Sequence, residues 1–429
     1  MYLSLLATSL SLLSFARAGQ HPLYFNFEEN VCSIAEQSLF SGPSVQNIEE
    51  EHHHGSGSCS HHEPQQSEVP VSRPSPWTHK KQCLEDEENY QEYCVYTNAK
   101  FANERGISFF TTRSIAKQVE SLPAFSERGL YDNVNKFDNP PWEVRRIPGR
   151  GNGLFATRKL NRGDEIIAAT PVGVYHRDAF IADKLIDYQY LRKTFDQMPN
   201  ATREIILRTA ANNPGDPIME RINTNAFLGE FEDAPHFLFY PETALMNHDC
   251  RPNSMHYHDP STLIHATYAS RTILPGEEIT ITYINILQTF MERQTHLWHA
   301  WGFQCTCALC SSNPGDISTS DSRTREILAM QTYLADWTPN SQGTPKMARQ
   351  LLSLYEAEEV HAAMGKGHML AALAYNAVGD TYQAKKHANL AIKAGIVSSG
   401  EEEADTKDMA ALNENPEGHW SFKARTPKQ

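Results

Sequence analysis

Apolar and polar residues alternate along the chain in three textures. Residues 20–80 are polar and punctuated; EEEHHHGSGSCSHHEPQQSEVPVSRPSP is rich in His, Gly, Ser and Pro and buries too little apolar surface to offset chain entropy. Residues 48–76 are therefore expected to form a flexible linker. Past Trp142, short runs such as VRRIPGRGNGLFATRKLNRGDEII, HFLFYPETALM and LIHATYASRTILPGEEITITY carry β-branched and aromatic residues broken by Gly, Pro and Asn. They predict a mainly β domain. Residues 183–212, with LIDYQYLRKTF and TREIILRTAA, switch to a helical period and predict a helical insert between the strands. After Asn313 the pattern is helical to the end. MLAALAYNAVGDTYQAKKHANLAIKAG predicts two helices about Gly379, with Asp380 as an N-cap and Gly395 as the C-terminal stop. Ala384, Ala388 and Ala391 permit close helix approach, as in a tetratricopeptide-like (TPR-like) hairpin; a plain helical cover for the β domain fits the pattern equally.

A chain of 429 residues exceeds the roughly 250–300 residues at which single cores stop growing, so two structured domains are expected. The formal charge of −14, with no Lys/Arg stripe, argues against direct nucleic-acid binding. It suits a basic peptide partner, or serves solubility alone. Residues 3–15 are apolar and Ala16-Arg17-Ala18 has the small-x-small form of a cleavage site, so residues 1–18 read as a signal peptide; an ordinary apolar N-terminus is the alternative. That run is shorter than the ~20 residues needed to span a bilayer, and no later stretch reaches that length. Export would permit a Cys83–Cys94 disulfide, with Cys32 and Cys59 completing an even set whose connectivity stays open. The histidines around Cys59 suit adventitious metal binding.

Three separated stretches carry candidate chemistry. GRGNGLFA, residues 149–156, supplies glycines that let the backbone approach a ligand, without the βαβ context of a dinucleotide fingerprint. NHDCRPNS, residues 247–254, offers amide and imidazole groups, and GEEITITY, residues 276–283, ends in a tyrosine able to aim its hydroxyl into a pocket. Taken singly, each also suits a structural role. Farther on, WGFQCTCALC places Cys305, Cys307 and Cys310 at a spacing that reads as metal ligands.

In this order the four motifs resemble the SET domain of S-adenosylmethionine-dependent protein lysine methyltransferases, over about residues 141–311. The resemblance is to the branch of SET-and-MYND and fungal SET proteins, in which a helical region follows the cysteines. The MYND zinc finger itself is missing, since residues 183–239 hold no cysteine. The resemblance implies an α+β fold: a mainly-β SET domain of the β-clip, pseudo-knotted kind with a helical insert, then an α-helical TPR-like region. The divisions expected are 1–18 (signal), 19–80 (low complexity), 81–140 (Cys-containing extension), 141–285 (SET), 286–312 (zinc segment) and 313–429 (helical).

Carried across, the family pattern implies that Asn152, Asn247 and His248 contact S-adenosylmethionine, as does Asn225 in RINTNAF. Tyr283 becomes the catalytic tyrosine and a donor contact, and Phe303 lines the adenine or lysine channel. Cys250 joins Cys305, Cys307 and Cys310 around a structural Zn(2+). The implied substrate is a lysine-bearing protein or peptide. Other readings are a catalytically weak peptide-binding module, a methyltransferase of small amines, and a secreted disulfide-stabilised protein without methyl chemistry. The signal peptide implies the secretory pathway, and the cytosolic origin of the methyl donor implies cytoplasm or nucleus. The sequon Asn200-Ala201-Thr202 matters only on the first route.

Overall fold

The structure, a computed structural model, describes residues 75–426 apart from 87–90, 182–183, 213, 232 and 339. The signal-peptide reading, the linker up to residue 74, Cys32 and Cys59 lie outside the described residues.

Six strands form the largest sheet, in the order β1 (Gln82–Asp86), β2 (Gln91–Asn98), β3 (Ile107–Thr112), β7 (Gly173–His176), β9 (Ala234–Phe239) and β8 (Ala226–Phe231). All six residues of β3 are buried, as a central strand covered on both faces requires. Its neighbours Phe109 and Phe110 point to opposite faces and enter different cores. Phe109 packs among Ile115, Ala116 and Val119 of the helix Arg113–Ser121, whose cap is Thr112. Phe110 packs among Leu191, Ile206 and Ile222 of the insert. That insert consists of helices Lys184–Asp196, Asn200–Leu207 and Pro217–Asn225, so it runs past the expected residue 212. Because β3 pairs in parallel with β7, residues 81–140 share one sheet with the strands after residue 141. Cys83 and Cys94 lie directly opposite each other across β1 and β2 and are joined by a disulfide.

Two smaller sheets carry the motifs. One has the order β10 (Asn247–His248), β13 (Glu278–Ile281), β5 (Gly151–Ala156), β4 (Trp142–Ile147); the other is β11 (Ser254–Asp259), β12 (Ile264–Ala269), β6 (Glu165–Ala169).

Past residue 313 the described residues form five α-helices, Pro314–Ala335, Pro345–Ala357, Met364–Asn376, Thr381–Ser398 and Ala404–Glu414. Their shared core admits Met255 and Ile286 from the β region, so the helical region closes over it. Asp380 caps the helix it precedes by accepting from the Gln383 amide, and Ala384, Ala388 and Ala391 are buried as their spacing predicts. Gly395 does not stop that helix, which continues to Ser398. A Cβ there would stand 2.5 Å from Thr406 Oγ1, so the glycine serves the approach of the next helix. No described helix is long and apolar enough to cross a membrane.

Candidate functional site

β13 is the axis of the site. It pairs with β5 on one side and, in parallel, with the two residues of β10 on the other, so GNGLFA, the Asn-His pair and EITI lie edge to edge. Gly149 and Gly151 take φ of +75° and +79° with open space where a side chain would stand, the freedom a close ligand approach needs. At Gly153 a Cβ would fall 2.7 Å from Ile147 Cδ1, 2.9 Å from Asn247 Nδ2 and 3.0 Å from Glu278 Oε1, so a side chain there would displace the ends of those three side chains.

Asn247 Nδ2 donates to the Asn152 carbonyl at 3.0 Å and to Glu278 Oε1 at 2.8 Å. Arg150 donates to both oxygens of Glu278, at 3.0 and 3.3 Å. Beyond β10, Asn253 replaces a strand partner: its Oδ1 accepts from Thr280 N at 2.9 Å and its Nδ2 donates to the Glu278 carbonyl at 2.8 Å. The loop is thus bonded to β13 on both sides of Cys250.

His248 is buried and neutral, its proton affinity lowered to about 3 chiefly by burial. Its Nδ1 accepts from the Tyr283 amide at 3.0 Å, so Nε2 carries the proton and donates to Cys250 Sγ at 3.3 Å. With both nitrogens committed inside the protein, a bound ligand is left its backbone and ring carbons. The Tyr283 hydroxyl donates to the Met246 carbonyl at 2.7 Å, and burial holds it well above the usual phenol value. Trp301 stands 5.3 Å from the Tyr283 ring and Phe303 6.3 Å from the His248 ring, both half-buried. Asn152 is exposed at the glycine loop. Asn225 is buried at the end of the insert, where its amide donates to the carbonyls of Ala210 and Arg221.

The sulfurs of Cys250, Cys305, Cys307 and Cys310 all lie within 4.8 Å of one another. Cys250 is 3.8 Å from Cys305 and 3.6 Å from Cys310. Tetrahedral zinc with Zn–S bonds near 2.3 Å puts its sulfurs about 3.8 Å apart, so the set fits zinc and none of its pairs is a disulfide. Hydrogen bonds from Cys250 and Cys305 pull Cys307 down to about 6 and hold Cys310 far below the usual thiol value. Arg293, fully buried, brings Nη2 to 4.0 Å from Cys310 Sγ and offsets part of the thiolate charge.

Arg251, next to Cys250, links this centre to the helical region. Its Nη1 donates to the carbonyls of Cys250 and Ile286, and its Nη2 to Glu358 Oε2 at 2.8 Å. Glu358 also accepts from Ser320 at 2.6 Å and Arg323 at 3.1 Å. Neither Arg251, Arg293 nor Glu278 is marked as a site residue by the motifs, although Glu278 stands inside GEEITITY; Trp301 stands inside WGFQCTCALC with no role that its spacing would reveal.

The SET domain family model matches residues 151–284. The histone-lysine N-methyltransferase set5 of Schizosaccharomyces pombe is 27% identical over 289 residues, 67% of this chain and 88% of that protein. The Drosophila melanogaster SET domain-containing protein SmydA-8 is 38% identical over 21% of each chain. The N-lysine methyltransferase SMYD2 of Homo sapiens is 27% identical over 33% of this chain and 36% of its own. The match thus spans most of the first relative and well under two thirds of the other two.

Proposed function

This chain carries a SET domain and has histone-lysine and N-lysine methyltransferases among its relatives, and from that premise we propose that it methylates a protein lysine at the β5–β10–β13 site. The observation that carries the reading is the chain of bonds from Tyr283 through His248 to Cys250, which joins the reactive tyrosine to a zinc-type cysteine set. S-adenosylmethionine, when bound, supplies the electrophilic methyl on a sulfonium. The open glycine loop, Asn152, Asn247 and Phe303 fit an elongated polar donor with an aromatic base.

Tyr283 acts by orientation. Its single proton is given to the Met246 carbonyl, which leaves the phenol lone pairs to accept from an incoming ε-amine. Its raised pKa keeps it neutral near pH 7, so it is not the base that removes the lysine proton. A half-buried aromatic setting of Tyr283, Trp301 and Phe303 favours the neutral amine by desolvation, and fixes the line of attack on which displacement depends. Cys250, Cys305, Cys307 and Cys310 would hold zinc, which ties the Phe303 segment to the site loop and takes no part in the chemistry.

The acidic chain suits a lysine-rich protein partner. Clustered thiols and a donor made in the cytosol support cytoplasm or nucleus; the Cys83–Cys94 disulfide is then of the redox-responsive kind known there. The helical hairpin about Gly379 we read as TPR-like cover for the site. Calorimetric titration with S-adenosylmethionine, radiolabelled transfer to histones and metal analysis test the proposal together. Tyr283→Phe is expected to lower transfer about 100-fold while donor affinity and zinc content stay unchanged. A wild-type protein without donor affinity would sink the reading.

A further inference from the structure

Three imidazoles gather where the hairpin β11–β12 meets β8 and Tyr240, the residue after β9. His258 and His265 stand directly opposite each other across the hairpin, and His256 precedes His258 by two residues, so the three share one face. The His256 ring stacks on His265 at 5.1 Å, and Tyr240 lies 4.4 Å from His265. Phe227 of β8 stands 5.2 Å from His256 and 5.1 Å from His265. His265 is 1% exposed, while His256 and His258 are half-buried. Both nitrogens of His265 and Nε2 of His258 are shut from solvent without a hydrogen-bond partner in the protein. Among the described residues the buried Tyr240 hydroxyl bonds only to His258 Nδ1, at 2.6 Å, so the phenol donates and the ring accepts.

The rings do not converge on a metal: among the described residues only two cysteine-containing sets bring three donor atoms within 4.8 Å of one another. They are arranged instead so that a proton is poorly accommodated. On His258 it enters at Nδ1, turns the bond to Tyr240 round and strands the phenol proton in the interior. On His265 it gives two N–H groups with no acceptor, facing His256 and His258. The acidic group nearest in the chain, Asp259, accepts from Ser261 and Thr262 and holds the turn of the hairpin. Tyr257 points to the other face, where its hydroxyl meets Gly400 and Glu402 and Glu403 act on it. Behind Phe231, which is 6.5 Å from His258, lies His236, faced by His176 and Asp178. Among the described residues the one ion pair that involves a histidine is His419 with Asp408, so none compensates these three rings.

We propose that His256, His258 and His265 form an acid-sensing latch, whose protonation frees the hairpin β11–β12 from β8 and Tyr240 and withdraws its support from the methyl-donor site. Burial holds His256 and His258 down to about 4 and His265 well below the usual imidazole value. The closed state is therefore neutral near pH 7, while the opened rings titrate at about 6.5. Because the closed values lie below the open ones, the latch is at full strength above about pH 6.5 and weakens as pH falls. Opening reaches the site through the first residues of β11. Ser254 Oγ donates to the Thr280 carbonyl of β13 at 2.7 Å, and Asn253 beside it accepts from the Thr280 amide. The consequence for the donor rests on the methyltransferase reading; the latch itself does not.

The test is hydrogen exchange on the full-length, zinc-loaded protein, read as protection factors at about pH 7.5 and about pH 5.5. Three rings that charge only on opening raise the opening equilibrium about 1,000-fold over that span, and protection of β11 and β12 is expected to fall by about that factor. Protection of the helix Pro314–Ala335, which contains no histidine, is expected to hold. His265→Phe, which keeps a ring beside Tyr240 and Phe227, is expected to reduce the fall to about 100-fold, and His256→Phe gives a second reading should the first variant not fold. Calorimetric titration with S-adenosylmethionine is expected to show weaker binding at the lower pH, with a smaller change in the variants. The latch is overturned if β11 and β12 keep their protection at about pH 5.5, if the helix Pro314–Ala335 loses protection equally, or if both variants respond as wild type. A hairpin that opens while donor affinity stays constant would overturn its connection to the site. Absence of donor binding at both pH values, with the hairpin still responding, would instead count against the methyltransferase reading alone.

Discussion

Glu358→Ala is the substitution that most directly probes how the helical region supports the site. The Glu358 side chain is 3% exposed and Arg251 7% exposed, with 2.8 Å between Nη2 and Oε2. Removing the carboxylate strands the Arg251 guanidinium in a buried setting, where only the carbonyls of Cys250 and Ile286 remain as partners. Loss of one member of a buried pair costs about 3–5 kcal/mol. The contact to Arg323, itself 40% exposed, adds at most about 1 kcal/mol. A domain stability of roughly 5–15 kcal/mol makes this a large fraction of the whole.

The assay is urea unfolding followed by tryptophan fluorescence, with zinc release to a chromogenic chelator measured in parallel. Zinc release is expected to quicken, because Arg251 also fixes the carbonyl of a ligand residue. Replacing both partners, Arg251→Met with Glu358→Leu, is expected to recover most of the stability, since no charge is then stranded. The pH dependence has a definite sign. Burial alone would raise the Glu358 pKa, but hydrogen bonds from Ser320 and Arg251 outweigh it and hold the folded value below the usual one. Its contribution is therefore complete above the unfolded value of about 4.3 and fades as pH falls through the lower folded value. The gap between wild type and Glu358→Ala should narrow below about pH 4. A variant within about 1 kcal/mol of wild type, with unchanged zinc release, would refute the coupling.

Two other substitutions and one reduction read separate parts of the structure. Gly153→Ala drives a methyl group against Asn247 and Glu278 and is expected to weaken S-adenosylmethionine binding in a direct titration; unchanged affinity would exclude this part of β5 from the donor site. Cys250→Ser removes a quarter of the thiolate set, and metal analysis of the purified variant is expected to find much less than a full equivalent of zinc. Reducing the Cys83–Cys94 bond, which closes a loop of sequence separation 11, is expected to lower stability in urea by about 3 kcal/mol and leave zinc content unchanged. Zinc loss on that reduction would show the two cysteine groups to be coupled.

The site motifs were legible because each depends on short-range constraints. Gly149 and Gly151 need left-handed backbone, and the C-x-C-x-x-C spacing brings three sulfurs together in one turn. The alternation of β-branched and aromatic residues likewise marked the strands. What escaped was long-range pairing. Arg251 and Glu358 are separated by 107 residues, and neither position is unusual in its local sequence. Residues 81–140 read as a separate extension because the parallel partner of β3, more than sixty residues away, leaves no local trace. Gly395 was misread for the converse reason: a glycine near a helix end matches a stop, and only the neighbouring Thr406 shows that it serves packing.

The order in which the ribosome delivers the Cys250 partners has its own consequence. Cys305 follows 55 residues later, Cys310 60 and Glu358 107. At about 5–20 residues per second the Asn247–Cys250 segment waits roughly 5–20 s before its last clamp exists. For roughly the first 3–12 s of that interval, until Cys305 and Cys310 are made, Cys250 has none of its partner thiols and is open to oxidation or to capture by the wrong cysteine. A cell short of zinc or reductant at the moment of synthesis would therefore produce chains of full length that never acquire a site.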